Sequence, residues 1–287
     1  MSTTASVAGQ DFDPVRALIE KRSGVCFDSS RERFFSTRVR EHLQAKGLAS
    51  PSDLMSRVLS SNVEYEALLQ CLLTHETFFF RYPSAFEALK KRVLPEIHSR
   101  MSWDHPRTLR IWSAGCSTGE EPYSIAIAVA ESLSFAKAWN VEILATDISR
   151  EALTRATRAV YSRRSLGNLT PEQIAAYCVP AGPLFEVKPA IRRMVSFTAM
   201  SLTHSLYLGR MDCIFCMNVL IYFSEERRNE VIRRFFDFLR PGGYLLLGPC
   251  ETISNIPVSF EKFVFDDYLL YRKPDGENGA STLGRPL

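Results

Sequence analysis

The chain has 287 residues, enough for one large domain and a small one, and 46% hydrophobic residues supply a sizeable core. A formal net charge of +3 is too small to demand a nucleic-acid partner, and no apolar run reaches the ~18 residues of a membrane span. Seven cysteines without a secretory signal point to reduced thiols and a cytoplasmic protein.

Residues 1–10, MSTTASVAGQ, lack the basic and apolar regions of a signal peptide and read as a disordered leader. Residues 11–82 read as a helical N-terminal domain. Val15, Leu18 and Ile19 mark one amphipathic stretch, residues 31–45 a second, and residues 51–59 and 63–73 two more, with Ser50 and Asn62 as caps. Charges over residues 1–90 balance at 11 basic and 11 acidic, which hides a local cluster: Arg31, Arg33, Arg38 and Arg40 stand against Glu32 alone. Arg33 and Arg40 are seven apart and share a helix face, either a solvated one or a docking surface for an acidic partner. Residues 74–81, THETFFFR, carry three consecutive Phe that cannot share one face, so an irregular packed segment is expected. Pro83 suits a helix start, and the helix it opens runs to about residue 100 within a linker spanning 83–107.

Residues 108–273 read as an α/β domain. Thr108–Ala114 is an apolar strand ending in small residues; Gly115, Ser117 and Gly119 follow at spacing two, and from Glu120 the apolar positions recur at helical spacing. A strand, a Gly-x-x-x-Gly loop and a helix form the nucleoside-holding unit of doubly wound folds, although such a loop also occurs as a plain turn. No Lys-Ser/Thr follows the last Gly, so the loop is not a phosphate cradle. Glu120 and Glu121 stand in the first helical turn instead, where carboxylates suit the helix dipole but repel a pyrophosphate. A ligand with a cationic part, such as S-adenosylmethionine, fits better. Asp147 closes the next strand, at residues 141–146, where an acid either bonds ribose hydroxyls or caps the helix over 149–158.

Thr170-Pro171-Glu172 reads as a helix start, and residues 185–197 as a short hairpin feeding a sheet strand. Residues 211–217, MDCIFCM, form the sheet's fourth strand, with Asn218 at its tip, where ligands of such sheets lie. Cys213 and Cys216 point to opposite faces of that strand, so neither zinc nor a disulfide is expected there, and the histidines show no metal spacing. An amphipathic helix over 225–239 ends at Pro241-Gly242-Gly243; residues 244–248 and 260–272 supply the last strands, and the tail beyond Lys273 reads as disordered.

Three strings together, SAGCSTGEEPYS, ATDIS and FCMNVLIYF, resemble the chemotaxis receptor methyltransferases of the CheR family, and the resemblance spans residues 12–273. It implies a class I methyltransferase domain, a doubly wound and mostly parallel sheet, behind a small helical domain, with a β-subdomain inserted at about 183–197. It also implies esterification of receptor glutamates with methyl groups from S-adenosylmethionine and no metal. The cofactor residues it implies are His75, Thr77, Arg81, Gly115, Glu121 and the weaker choice Glu120, Asp147, Ser201, Leu202, Met217 and Asn218. Arg81, Asn218 and Tyr222 are the expected positioning residues. His75, Ser201 and Met217 stand where the family usually has Asn, Asn and Arg.

The same resemblance points to the cytoplasmic domain of membrane chemoreceptors as partner, docked through the basic helix by a monomer. Some members grip a pentapeptide tether at the receptor C-terminus; this version is compact there, so tether-independent action is expected. Two rivals remain: a non-catalytic S-adenosylmethionine-sensing protein, and a nucleic-acid amino methyltransferase. The latter's Pro-Pro-aromatic signature is absent after Asn218.

Overall fold

The computed structural model describes residues 11–73, 76–100, 107–132, 139–204, 208–253 and 258–275. His75, the leader at 1–10 and the tail from 276 lie outside the described residues.

The first unit is helical: α1 (Asp13–Ser23), α2 (Glu32–Ala45), α3 (Pro51–Ser60) and α4 (Asn62–Leu72). Val15, Ile19, Phe35, Val39, Leu54 and Leu68 meet in its core, spaced as one stripe along each helix. Gly24 at φ 80° closes α1, a left-handed position that glycine adopts without strain. Ser50 caps α3 by accepting from the Asp53 N–H. Ser61, not Asn62, caps α4: its extended backbone lets Oγ accept from the Glu64 N–H, and Asn62 is already the first helical residue.

Next come α5 (Pro83–Ala88), a π-helical turn (Leu89–Val93) and α6 (Leu94–Arg100), which run on without a break. Expected as part of a linker, this segment is instead a packed layer of the larger unit. Phe86, Leu89, Val93 and Ile97 are buried in the same cluster as Ile111 and Phe215 of the sheet. Phe79 and Phe80 of the aromatic run enter that cluster too; the Phe80 N–H donates to Ser124 Oγ at 2.9 Å, and Phe79 stacks edge-on against Tyr161 at 5.0 Å.

The rest of the chain contributes β1 (Thr108–Ala114), α7 (Glu120–Ser132), β2 (Asn140–Asp147), α8 (Arg150–Arg158), β3 (Val160–Ser162), α9 (Pro171–Tyr177), β4 (Cys178–Ala181), β5 (Leu184–Val187), α10 (Pro189–Arg192) and β6 (Val195–Ala199). It continues with β7 (Met211–Cys216), α11 (Glu225–Phe238), β8 (Leu239–Leu247), β9 (Glu261–Phe265) and β10 (Tyr268–Arg272). The seven-stranded sheet has the order β6-β2-β1-β7-β8-β10-β9. It is parallel from β6 to β8 and antiparallel beyond.

Both faces are covered. Cys213 and Phe215 of β7 face the layer of α5 and α7, while Ile214 and Cys216 face Val231 and Phe235 of α11. From β1 the chain first builds outward through β2 to β6, then returns to lay β7 on the other side of β1. The strand order therefore reverses between β1 and β7, and the crevice at their carboxyl ends is where such sheets hold ligands.

Two expectations are corrected. The run at 185–197 is not one hairpin: β5 belongs to a separate three-stranded antiparallel sheet of order β3-β5-β4, turning at Gly182, whereas β6 pairs in parallel with β2. The small sheet therefore draws on residues 160–187, and α10 separates two strands that look alike in sequence. Nor do Pro241-Gly242-Gly243 lie between the last helix and strand. They lie inside β8, where Met211 pairs with Leu239 but Cys213 pairs with Tyr244, and Gly242 at φ 70° absorbs the extra residues as a bulge.

Candidate active site

A cleft of about 220 Å³ opens at the carboxyl ends of β1, β2 and β7. The helical unit supplies its opposite wall through Ser23, Val25 and Leu73.

The loop after β1 is set by backbone bonds. Gly115 and Cys116 both donate their N–H to the Thr146 carbonyl, at 2.8 and 2.9 Å. Gly115 has φ 84°, and a Cβ there would lie 2.4 Å from Val219 Cγ2, so only glycine lets β1 and the loop after β7 approach this closely. Gly119 serves packing instead: a Cβ would lie 2.8 Å from both Ala156 Cβ and the Tyr161 hydroxyl. Asp147, buried at the tip of β2, ties the loop down. One carboxylate oxygen accepts from the Ser117 N–H and the other from the Ser149 N–H, each at 2.8 Å. Ser149 caps α8, so Asp147 borders that cap, and it lines the cleft as well.

The paired glutamates part company. Glu121 lines the cleft and accepts from Ser113 Oγ at 2.6 Å. Desolvation raises its carboxyl to about 7; the Ser113 hydrogen bond opposes the rise, Glu251 adds to it, and Arg81 opposes it. Glu120 is buried away from the cleft, bonded to Thr118 Oγ1 at 2.7 Å, and burial raises it to about 7 as well. The helix geometry explains the difference, because consecutive residues point about 100° apart. Glu120 thus leaves the expected cofactor set.

At the tip of β7, Met217 and Asn218 both face the cleft. Asn218 adopts φ 60° and accepts from the Tyr82 hydroxyl at 2.6 Å through Oδ1. Tyr82 also lines the cleft, a role its sequence gave no sign of. Glu251, 6% exposed, lies behind this turn and accepts from the N–H groups of Asn218, Val219 and Leu220 at 2.7, 2.9 and 2.7 Å. Only its place in a turn just past an apolar strand could have marked it.

On the helical side, Thr77, Arg81 and Tyr222 all line the cleft. Arg81 is anchored by donating to the Glu76 carbonyl at 2.6 Å. Ser201 and Leu202 line it too, but the Ser201 hydroxyl is engaged with Thr203 Oγ1 at 2.8 Å. Ser201 also donates to the Ser23 carbonyl at 3.4 Å, so it joins the two units. Of the basic cluster, Arg33 and Arg40 are exposed on α2, while Arg38 pairs with Glu41 at 2.9 Å. Arg31 turns inward and stacks over the Tyr222 ring.

The donor set suits S-adenosylmethionine. Acids at the β1–α7 loop and the β2 tip match a cationic sulfur or ammonium and a ribose diol, and the Arg81 guanidinium matches a carboxylate. Met217, Val219 and Phe78 supply apolar wall. Among the described residues no group of three or more His, Cys, Asp or Glu could hold a metal ion. Such a sheet with such a cleft is that of an S-adenosylmethionine-dependent methyltransferase of class I.

Residues 75–269 match the CheR methyltransferase SAM-binding domain, and residues 10–73 match the CheR methyltransferase all-alpha domain. The chain is 38% identical over 275 residues to chemotaxis protein methyltransferase 1 of Pseudomonas aeruginosa, covering 93% of this chain and 99% of that one. It is 33% identical over 270 residues to the chemotaxis protein methyltransferase of Escherichia coli, covering 91% of this chain and 90% of the relative. The chain belongs to the CheR family of chemotaxis protein methyltransferases.

Proposed function

We propose that the acceptor is the γ-carboxylate of glutamate side chains on the cytoplasmic domain of membrane chemoreceptors, giving a methyl ester. S-adenosylmethionine supplies the methyl group on a cationic sulfur. The observation that carries the reading is the convergence of Glu121, Asp147, Arg81 and Tyr222 on one cleft between the sheet and the helical unit. A glutamate side chain has a reference pKa of about 4.3, so it arrives ionised and needs no general base. The chain's part is therefore placement. Glu121 and Asp147 hold the donor at the strand tips, Arg81 fixes its carboxylate, and Asn218 and Tyr222 border the path of the incoming side chain. Alignment of this kind supplies much of the rate in a displacement between two bound groups.

Docking through α2 is supported by Arg33 and Arg40, exposed seven residues apart, which suit an acidic receptor helix. Tether-independent action is supported by Pro180 in β4, an outer strand of the small sheet. A proline there offers no N–H to a peptide adding as a further strand. No helix among the described residues is long and apolar enough to cross a membrane. The free thiols support a reducing, cytoplasmic setting. The test is transfer of a labelled methyl group to receptor-bearing membranes. Base-labile label on receptor glutamates is the expected result; label on another residue type, or none, overturns the reading.

A further inference from the structure

We propose that Glu251 is a positioning residue for methyl transfer: its carboxylate sets the backbone of residues 218–221, and with it the cleft face of Asn218, before any ligand arrives. The argument begins with the hydrogen bonds. One oxygen of Glu251 accepts from Asn218 N–H at 2.7 Å and Gly248 N–H at 2.8 Å. The other accepts from Val219 at 2.9 Å, Leu220 at 2.7 Å and Ile221 at 3.3 Å. Five backbone donors thus converge on one buried carboxylate, which no neutral side chain can match, because an amide has a single acceptor oxygen.

The consequence is local. Asn218 sits at φ 60°, a left-handed conformation that is sparsely populated outside glycine and must be held by its surroundings. Glu251 holds it from behind. From the front, Tyr82 donates to Asn218 Oδ1 at 2.6 Å, which leaves the Asn218 Nδ2 hydrogens as its free donors. The amide is therefore clamped at two points, backbone and side chain, by two residues far apart in sequence. The same turn carries Val219 against Gly115 and leads into Tyr222, so the carboxylate fixes three cleft-lining positions at once. The inference needs only that the cleft binds the S-adenosyl group. It does not depend on glutamate being the acceptor.

The test uses the full chain and S-adenosylhomocysteine titrated by calorimetry. Glu251→Gln preserves shape but removes one acceptor oxygen, so at least two N–H groups lose their partner. Affinity is expected to fall by about tenfold or more, at an unchanged stoichiometry of one site per chain, since the turn that presents Asn218 loses hydrogen bonds to a charged group. Mere misfolding would instead lower the stoichiometry and leave the affinity of the remaining sites intact. Glu251→Asp keeps the charge and is expected to fall between the parent and Gln; it decides the matter if the Gln variant does not fold. Tyr82→Phe alone is expected to weaken binding several-fold, yet to add under twofold on top of Glu251→Gln, because both act through Asn218. Parent-like affinity within twofold at full stoichiometry in the folded Glu251 variant overturns the proposal, and so does strict additivity with Tyr82→Phe.

Discussion

The guanidinium of Arg31, one residue before α2, stacks 4.6 Å from the centre of the Tyr222 ring. The link is reinforced by the backbone, since the Cys26 N–H donates to the Tyr222 carbonyl at 2.7 Å. The basic helix proposed to meet the receptor is thus tied directly to the mouth of the cleft. Removing the stack by Arg31→Ala is expected to cost about 0.5–1 kcal/mol of stability. It should slow methyl transfer several-fold while leaving S-adenosylhomocysteine affinity within twofold. Parallel calorimetry and turnover measurements separate the two; equal losses in both would refute the coupling.

The exposed arginines should act differently. Reversing both Arg33 and Arg40 to Glu is expected to lower receptor methylation by about tenfold at low salt, with the deficit shrinking as ionic strength rises. Ligand affinity should not change, since neither residue lines the cleft. Normal methylation of receptor by the double variant would remove α2 as the docking face.

Binding of the cationic methyl donor should depend on pH. The Glu121 carboxyl is raised to about 7, chiefly by desolvation, so below that pH it is protonated and offers no charge to a cation. Affinity is expected to rise with pH up to about 7 and then level off, with a limiting slope of about tenfold per unit. Calorimetry from pH 5.5 to 8 reads this directly, and Glu121→Gln should flatten the curve at a weaker value. A flat profile in the parent protein would count against Glu121 as the cation's partner.

Stability carries the opposite trend. Glu120 and Glu121 have folded-state values near 7, above the ordinary 4.5. The folded chain therefore holds protons that the unfolded chain releases, and the stability from these two groups is fully present below about 4.5 and lost as pH rises through about 7. Glu120→Gln, which keeps the site neutral, should reduce that loss in urea titrations across the window without changing the pH dependence of ligand binding.

Gly115→Ala tests the closeness of the two central strand tips. An alanine must hold φ 84° and sit against Val219. The expected cost is about 2 kcal/mol or more, with ligand binding lost. Pairing it with Val219→Ala should recover part of the stability but not the backbone strain.

The half of the cleft built by the sheet was legible because it is local. The strand, loop and helix over 108–132 and the strand tip at Asp147 announce themselves by period, glycine spacing and an acid in place of an apolar residue. Asn62 failed as a cap because Ser61 beside it has the same chemistry and the extended backbone. Glu120 failed because adjacent helical positions diverge, and nothing in two consecutive glutamates says which faces inward. Glu251, Tyr82 and Ser23 were hidden for another reason: their partners lie 33, 136 and 178 residues away, and no periodicity encodes such contacts. The sheet strand expected at the end of the 185–197 run is β6, but the hairpin lies upstream, where β5 turns back on β4; alternation reports a pleated strand but not its neighbour.

Ser23, Val25 and Leu73, at the ends of helices in the first unit, stand in the wall of the cleft. A chimera that exchanges the first 73 residues for those of a relative would therefore transplant part of the cleft wall along with the proposed receptor-docking surface. Attempts to retarget the enzyme by swapping its front end should shift product retention and turnover as well as partner choice.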